Sequence, residues 1–417
     1  MEKVFFYTTI LFLPTQLAKH FWPPQSYLLG LRIDYLSPTI YITDICIFIL
    51  FCLYINNHIK SLSNLSPVFF SFISLLLMGS FMAKVSILSF YGVLKILEMS
   101  FFAWYISSHS KFFKKKYLYY LLTFGVITES ILAIHQFIYQ KSIGGLFYFF
   151  GERTFTAQTP GIANVSLQGE LIMRPYGTLP HPNVLAGYIF ISLLLIAQFL
   201  NKNNKKQAIL FYITCLIGVI GMSISFSRIV FILLVLSLLI LGITLKSMWE
   251  RLALLGLTVV GFGLFILTNF WKRFIDIAMQ PSFTERNDLI AHTLTIIKSH
   301  FFLGVGFNNF LVYLSLVDKK LGQVFFIQPV HNIYLLLFSE IGIIGLLIIL
   351  LFIVRTVIHV SGNKKNRLLL LCLLSILVIG LFDHYLLTLQ QGQLLSALVI
   401  GACWRDSIND NKVIKKV

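Results

Sequence analysis

Arginine, histidine and asparagine recur in this chain where long apolar runs begin or end. Arg174-Pro175-Tyr176-Gly177 is followed by His181-Pro182-Asn183, and Ser225-Phe226-Ser227-Arg228 falls between two apolar runs. Further on come Arg286, Asn308-Asn309, His331-Asn332 and Asp383-His384. An arginine fork binds phosphate through two parallel hydrogen bonds and never loses its charge. A histidine titrates near neutrality and can take the proton of a hydroxyl. Arginines gathered on a diphosphate, beside a histidine base, suit a metal-free transfer in which the diphosphate leaves. Each residue also has a plainer reading. An arginine at the end of a membrane span often only anchors it at the interface, and His181 ahead of Pro182 can simply start a helix.

Competing chemistries lack their motifs. There is no DxD, no glycine-rich phosphate loop and no GxGxxG, so nucleotide or nucleotide-sugar chemistry finds no support. Neither HExxH nor a His/carboxylate cluster in the sequence argues for zinc. The five cysteines fall in or at the ends of apolar runs without CxxC spacing, which suggests neither disulfide nor metal. Glu340 lies nine residues beyond His331, about 180° around a helix, and so faces another neighbour. Gly342 and Gly345 read as sites of close helix packing.

The elements that position these residues are membrane spans. Of 417 residues, 57% are hydrophobic and only 12% charged, against roughly 25% charged in a soluble chain. Unbroken apolar runs long enough for a hydrocarbon core of about 30 Å recur throughout. The reading is an all-α polytopic membrane protein, a single membrane domain over 1–417, with no cleavable signal peptide. About twelve spans are expected, near 4–20, 40–57, 66–83, 87–107, 117–138, 183–200, 207–224, 228–245, 252–270, 332–356, 367–382 and 386–403.

The net charge of +17 is read as topology rather than as a nucleic-acid surface. One set of connectors holds Lys60, Lys111 with Lys114 to Lys116, Lys202, Lys205, Lys206, Lys246, Arg251, Arg355, Lys364, Lys365 and Arg367. With Lys3 and the tail residues Arg405, Lys412, Lys415 and Lys416, the positive-inside rule makes that set cytoplasmic, both termini included. The two long connectors, 139–182 and 271–331, then face outward. In the second, Ser282-Phe283-Thr284-Glu285 fits a capping box. Ile290, Leu294, Ile297 and Phe301 follow at helical spacing, which predicts an amphipathic helix with Asp288, His292, Thr295 and Ser299 on another face. A second short helix is expected over Asn308 to Leu316. Lys95 and Glu98, at i,i+3 inside the fourth span, are placed to pair with each other.

The order RPYG, HPN, SFSR, the external Arg286, GVGFNNF and HNIYLLLFSEIGIIG resembles the O-antigen ligase and polymerase family of bacterial envelope proteins, over about residues 174–345. The resemblance implies a metal- and cofactor-independent glycosyltransferase of the bacterial cytoplasmic membrane. It would take a glycan from a polyprenyl diphosphate donor and attach it to an acceptor sugar hydroxyl on the external face, without nucleic acid as a partner. A ligase onto a lipid core and a polymerase lengthening the lipid-linked chain share this chemistry. Carried over by residue, Arg174, Arg228 and Arg286 (or Arg273 in its place) would hold the diphosphate, and His331 would deprotonate the acceptor. His181 and Asn183 match the HPN element, while Asn309 and Asn332 would position groups around the site. Where family members often carry a tryptophan after the external arginine, this chain has Leu289 and Ile290. A transporter of the same lipid is the reading of another class, favoured by the intramembrane Lys95 and Glu98.

Overall fold

The computed structural model describes residues 1–58, 67–108, 113–167, 170–244, 247–275, 281–317 and 327–414. Lys60, Lys111, Lys246, Lys415 and Lys416, counted above as cytoplasmic, lie outside them, as do 276–280 and 318–326 of the second long connector. The helices run in order α1 (Glu2–Leu11), α2 (Ile42–His58), α3 (Pro67–Met82), α4 (Ser86–Ser108), α5 (Lys115–Tyr139), α6 (Pro182–Phe199), α7 (Lys205–Ile224) and α8 (Arg228–Thr244). They continue as α9 (Met248–Leu267), α10 (Lys272–Ile275), α11 (Pro281–Ser299), α12 (Phe310–Val317), α13 (Ile333–Ser361), α14 (Arg367–Phe382), α15 (Tyr385–Thr388) and α16 (Gln390–Ile414). Seven described helices are long and apolar enough to cross a membrane, and α2, α3 and α8 are apolar but shorter.

At the centre stands α6, buried almost all round between α5, α7 and α14. Lipid tails are as apolar as leucine, so close packing rather than escape from water holds such a helix in place. Small residues allow it. A Cβ at Gly221 of α7 would stand 2.9 Å from the Ser130 side chain of α5, so only glycine lets these two helices approach so closely.

The first apolar run departs from expectation. Helix α1 stops at Leu11, not near residue 20, and Pro14 follows at the turn. A proline offers no backbone N–H and pushes the residue before it out of helical geometry. The chain then makes a small β excursion before α2. Strands β1 (Ala18–His20) and β4 (Thr39–Tyr41) pair antiparallel around a hairpin of β2 (Tyr27–Leu28) and β3 (Leu31–Arg32). A second hairpin, β5 (Asn164–Leu167) with β6 (Glu170–Met173), ends one residue before Arg174.

Helix α11 forms as expected over Pro281–Ser299, and the Ser282 side chain of the capping box lies outside what the structure describes. Its buried face is Leu289, Thr293, Ile296 and Ile297, while Ile290, Leu294 and Phe301 are exposed. The true face is rotated by about one residue from the expected one, because α11 packs on both α12 and α13. Lys95 does contact Glu98, at 3.4 Å, but its nearer partner is Asp44 of α2, with Gln390 completing the cluster.

Gly342 does more than allow packing. Its φ of 66° and ψ of −176° interrupt α13 in a region open essentially to glycine alone. The loop 301–306 inserts there: Val305 N donates to Ser339 O, Gly306 N to Glu340 O and Ile343 N to Phe301 O, each at 2.9 Å. Glu340 is buried in the same crossing and accepts from Phe310 N at 3.3 Å, a hydrogen-bonding role within the crossing. A Gly342→Ala side chain would meet the Phe302 carbonyl. We expect it to destabilise the protein by about 1–3 kcal/mol. Gly256→Ala, whose Cβ meets nothing within 4 Å, is the control, and thermal unfolding in detergent measures both.

A basic cavity with a histidine pair as the candidate active site

The arginines are set by the turns that carry them. His181 caps α6, its Nδ1 accepting from Asn183 N at 3.1 Å, with Pro182 at the first helical position. Arg174 follows β6, and its backbone N donates to Ala163 O at 2.9 Å. Its Nε donates to Ser225 O at 2.8 Å and its Nη2 to Asn183 Oδ1 at 2.7 Å. One buried guanidinium thus joins the second hairpin, the α7–α8 turn and the start of α6. Phe226, at φ 54°, makes that turn tight. Arg228 opens α8, and its Nη1 donates to Arg273 O at 3.1 Å, while Arg273 Nη1 donates to Phe226 O at 2.9 Å. Stacked Phe231 and Phe265 (4.6 Å) and Phe226 against Phe270 (5.3 Å) hold these two backbones together.

The histidines come from the far end of the chain. His331 precedes Asn332, whose Oδ1 caps α13 by accepting from Tyr334 N and Leu335 N, both at 3.0 Å. The His331 ring packs edge-on against His384, with centroids 5.1 Å apart. Beside them Asp383 accepts from His384 N at 2.8 Å through Oδ1 and from Asn183 Nδ2 at 2.8 Å through Oδ2. Arg174, Asn183 and Asp383 therefore form one continuous chain of hydrogen bonds. It runs from the arginines to the histidine pair.

The arginines, the histidines, Asn183 and Asp383 line a single cavity of about 1250 Å³. Arg174, Arg228, Arg273 and Arg286 occupy its wall together with His181, Asn183, His331, Asp383 and His384. Burial, then Arg273 and Arg228, act against the charge on Arg174. Burial, Arg228 and Arg286 bring Arg273 down to about 10. Arginines crowded in this way are relieved by an anion placed among them. Burial is also the main cause that lowers His331 to about 3, with His384, Arg286 and His181 adding to it and Asp383 opposing. On Asp383 burial pushes upward, but His384, His331, His181 and the Asn183 amide outweigh it and hold the carboxyl at about 2. At neutral pH the site thus presents an ionised carboxylate beside neutral imidazoles. The His331 Nδ1 is buried and has no hydrogen-bond partner among the described residues.

His331, Asp383 and His384 also each offer one ligand atom, all within 4.8 Å of one another. Two imidazoles and a carboxylate can hold a divalent cation. The chain read as a sequence contained no such His/carboxylate cluster; folding creates it, by bringing the Asp383-His384 turn to the α13 N-terminus.

Of the residues singled out from sequence, Arg174, Arg228, Arg286, His181, Asn183 and His331 meet at the cavity, and so does Arg273. Arg273 and Arg286 are not alternatives there but neighbours. Asn332 is spent on capping α13 and donates to Leu381 O at 3.2 Å. Asn309 is fully buried against the α3–α4 turn, accepting from Val85 N at 3.0 Å and donating to Val85 O at 3.2 Å. Neither lines the cavity, whereas Asn308 does. Sequence reading assigned no role to Asp383, nor to the β excursion before α2, which supplies another wall. Its Pro23-Pro24 and Pro38 were the available signal that the first two apolar runs are separated by built structure.

Helices long and apolar enough to cross a membrane thus surround a basic, histidine-bearing cavity, as in a multispanning membrane protein. A family model described as O-antigen ligase matches residues 213–350, about a third of the chain, so the chain is similar to that family over this stretch. The matched stretch contains Arg228, Arg273, Arg286 and His331; Arg174, His181 and Asp383 lie outside it. No curated protein matches the chain.

Proposed function

We propose that this protein transfers a glycan from a polyprenyl diphosphate carrier to a hydroxyl of an acceptor sugar, as an O-antigen ligase does onto a lipid core. The observation that carries this reading is the convergence of four arginines and His331 on one cavity. As the bond between the anomeric carbon and the phosphate oxygen breaks, negative charge grows on the leaving diphosphate. Arg174, Arg228, Arg273 and Arg286 stabilise that charge more in the transition state than before it. The acceptor oxygen bonds to the anomeric carbon, its proton passes to His331, and the carrier diphosphate departs. Asp383 steadies the imidazolium that results, as a carboxylate does in other histidine-based sites. The arginines supply the neutralisation that a metal supplies elsewhere, so no metal or nucleotide is required. With about twelve spans and the lysine-rich connectors in the cytoplasm, the cavity opens on the outer face of the bacterial cytoplasmic membrane.

The test is purified protein in lipid nanodiscs with an undecaprenyl-diphosphate-linked oligosaccharide. The acceptors are rough lipopolysaccharide or a second lipid-linked oligosaccharide. Acceptor-dependent release of the carrier diphosphate that survives EDTA supports the reading, and the productive acceptor separates ligase from polymerase. No release with either acceptor rules out the enzyme. Activity lost to EDTA and restored by a divalent cation moves the His331, Asp383 and His384 cluster from base to metal site. The transporter reading draws on the buried Lys95, Asp44 and Glu98 cluster. Translocation that survives Arg228→Ala and His331→Ala would favour it.

A further inference from the structure

In an in-line displacement the acceptor oxygen approaches the anomeric carbon from the side opposite the leaving group. If the diphosphate lies on the arginines, the acceptor must reach His331 from the side away from them. The β excursion, residues 18–41, lines the same cavity, and it reaches the histidines directly. The Tyr35 ring packs edge-on against His384 with centroids 5.4 Å apart, and His384 in turn packs on His331. We infer that this excursion is the acceptor subsite, with Arg32, Asp34 and Tyr35 recognising a saccharide ring by its hydroxyls. The inference rests on the transferase reading.

The chemistry of the wall fits a sugar. Arg32 and Asp34 both line the cavity, and their side chains are 61% and 56% exposed. They face each other at 3.9 Å, too long for a hydrogen bond, and no other hydrogen bond joins either head group to the described residues. An ionised carboxylate accepts from two adjacent hydroxyls, and a guanidinium donates to their oxygens. The Arg32 side chain is held in place although exposed. The Arg32 guanidinium lies 4.5 Å over the Trp22 ring, which itself stacks on His20, and the His20 Nδ1 is bonded to Thr39 Oγ1 at 2.9 Å.

The excursion is fixed to the rest of the site rather than hung over it. The Tyr91 hydroxyl of α4 donates to Thr39 O at 3.0 Å, and Gln391 Nε2 donates to Thr15 O at 2.6 Å. Gln16 Nε2 donates to Thr178 O at 2.7 Å, three residues before His181. The arginines at 228, 273 and 286 fall inside the stretch matched by the family model, but the whole excursion falls outside it. A wall that touches the histidine pair and lies outside the matched stretch is where acceptor choice would be made.

The experiment uses the full chain in nanodiscs with the undecaprenyl-diphosphate-linked oligosaccharide as donor and rough lipopolysaccharide or a lipid-linked oligosaccharide as acceptor. Asp34→Ala and Arg32→Ala should raise the KM for acceptor about tenfold to a hundredfold, the effect of a lost hydrogen bond to a charged group. The KM for donor and the kcat at saturating acceptor should stay within about threefold, as a fold defect would not allow. Asp34→Asn, which keeps an acceptor oxygen, should recover part of the loss. An unchanged acceptor KM in both variants, or a shift in donor KM instead, overturns the acceptor placement while leaving the transferase reading standing. No acceptor-dependent release by the unsubstituted protein overturns both.

Discussion

His331→Ala is expected to lower the rate of glycan transfer by about two to four orders of magnitude, the range of a lost general base. The fold should tolerate the change. The imidazole makes a ring contact with His384 but leaves Nδ1 without a partner, so no buried hydrogen bond is broken. Asn332, the residue that caps α13, is untouched. Thermal unfolding of the variant should therefore match the unsubstituted protein while turnover collapses. Activity retained in His331→Ala would reduce the histidine to a binding or structural role.

The pH dependence sharpens this expectation. Burial lowers His331 to about 3, so its neutral, proton-accepting form persists in the free enzyme as the pH falls well below the ordinary histidine range. The pH profile of kcat/KM reports the free enzyme. It should show no acid limb from this residue between pH 5 and 8. A bound diphosphate offsets the repulsion from Arg286 and raises the imidazole, so any histidine limb should appear in kcat and at higher pH than in kcat/KM. A limb near 6.5 in kcat/KM, the ordinary histidine value, would contradict the buried environment.

Arg228→Ala should cost transfer about 10² to 10³ in turnover, the scale of one removed transition-state donor, with little loss of stability. Its guanidinium makes a single hydrogen bond among the described residues, to Arg273 O, and lies partly open to the cavity. Arg174→Ala should behave differently, although the two residues look equivalent in sequence. Arg174 is 6% exposed and donates to both Ser225 O and Asn183 Oδ1. Its removal leaves buried acceptors unmet, at about 1–3 kcal/mol each, and breaks the chain of hydrogen bonds to Asp383. Arg174→Ala should lose both turnover and thermal stability. Arg174→Lys should keep a charge yet recover neither fully, since an ammonium cannot reproduce the planar fork. Equal melting temperatures for Arg174→Ala and the unsubstituted protein would contradict the bridging role.

Much of this protein is legible as a string. Apolar runs that exceed a bilayer's thickness specify helices, because a backbone in lipid has to bond to itself. Residue type assigned the chemistry, since arginine beside a run end suggests phosphate and histidine suggests a base. Local pattern also marked the start of α6 at His181-Pro182. Other features depend on what packs against what. Pro14 locally marks the end of α1, but nothing local says that the segment after it walls the site, or that Asn308 rather than Asn309 looks into the cavity. The buried face of α11 differs from the hydrophobic pattern by one residue, because two neighbours, α12 and α13, select it. Asp383 could gain a role only when the turn after α14 came to rest against Asn183 and His384 beside His331. By itself the sequence determined the helical, multispanning class and the kinds of polar side chain at the run ends, because both follow from residue type and period. Only the tertiary structure decided which of them meet, since hydrogen bonds such as those joining Arg174, Asn183 and Asp383 depend on distances across the fold.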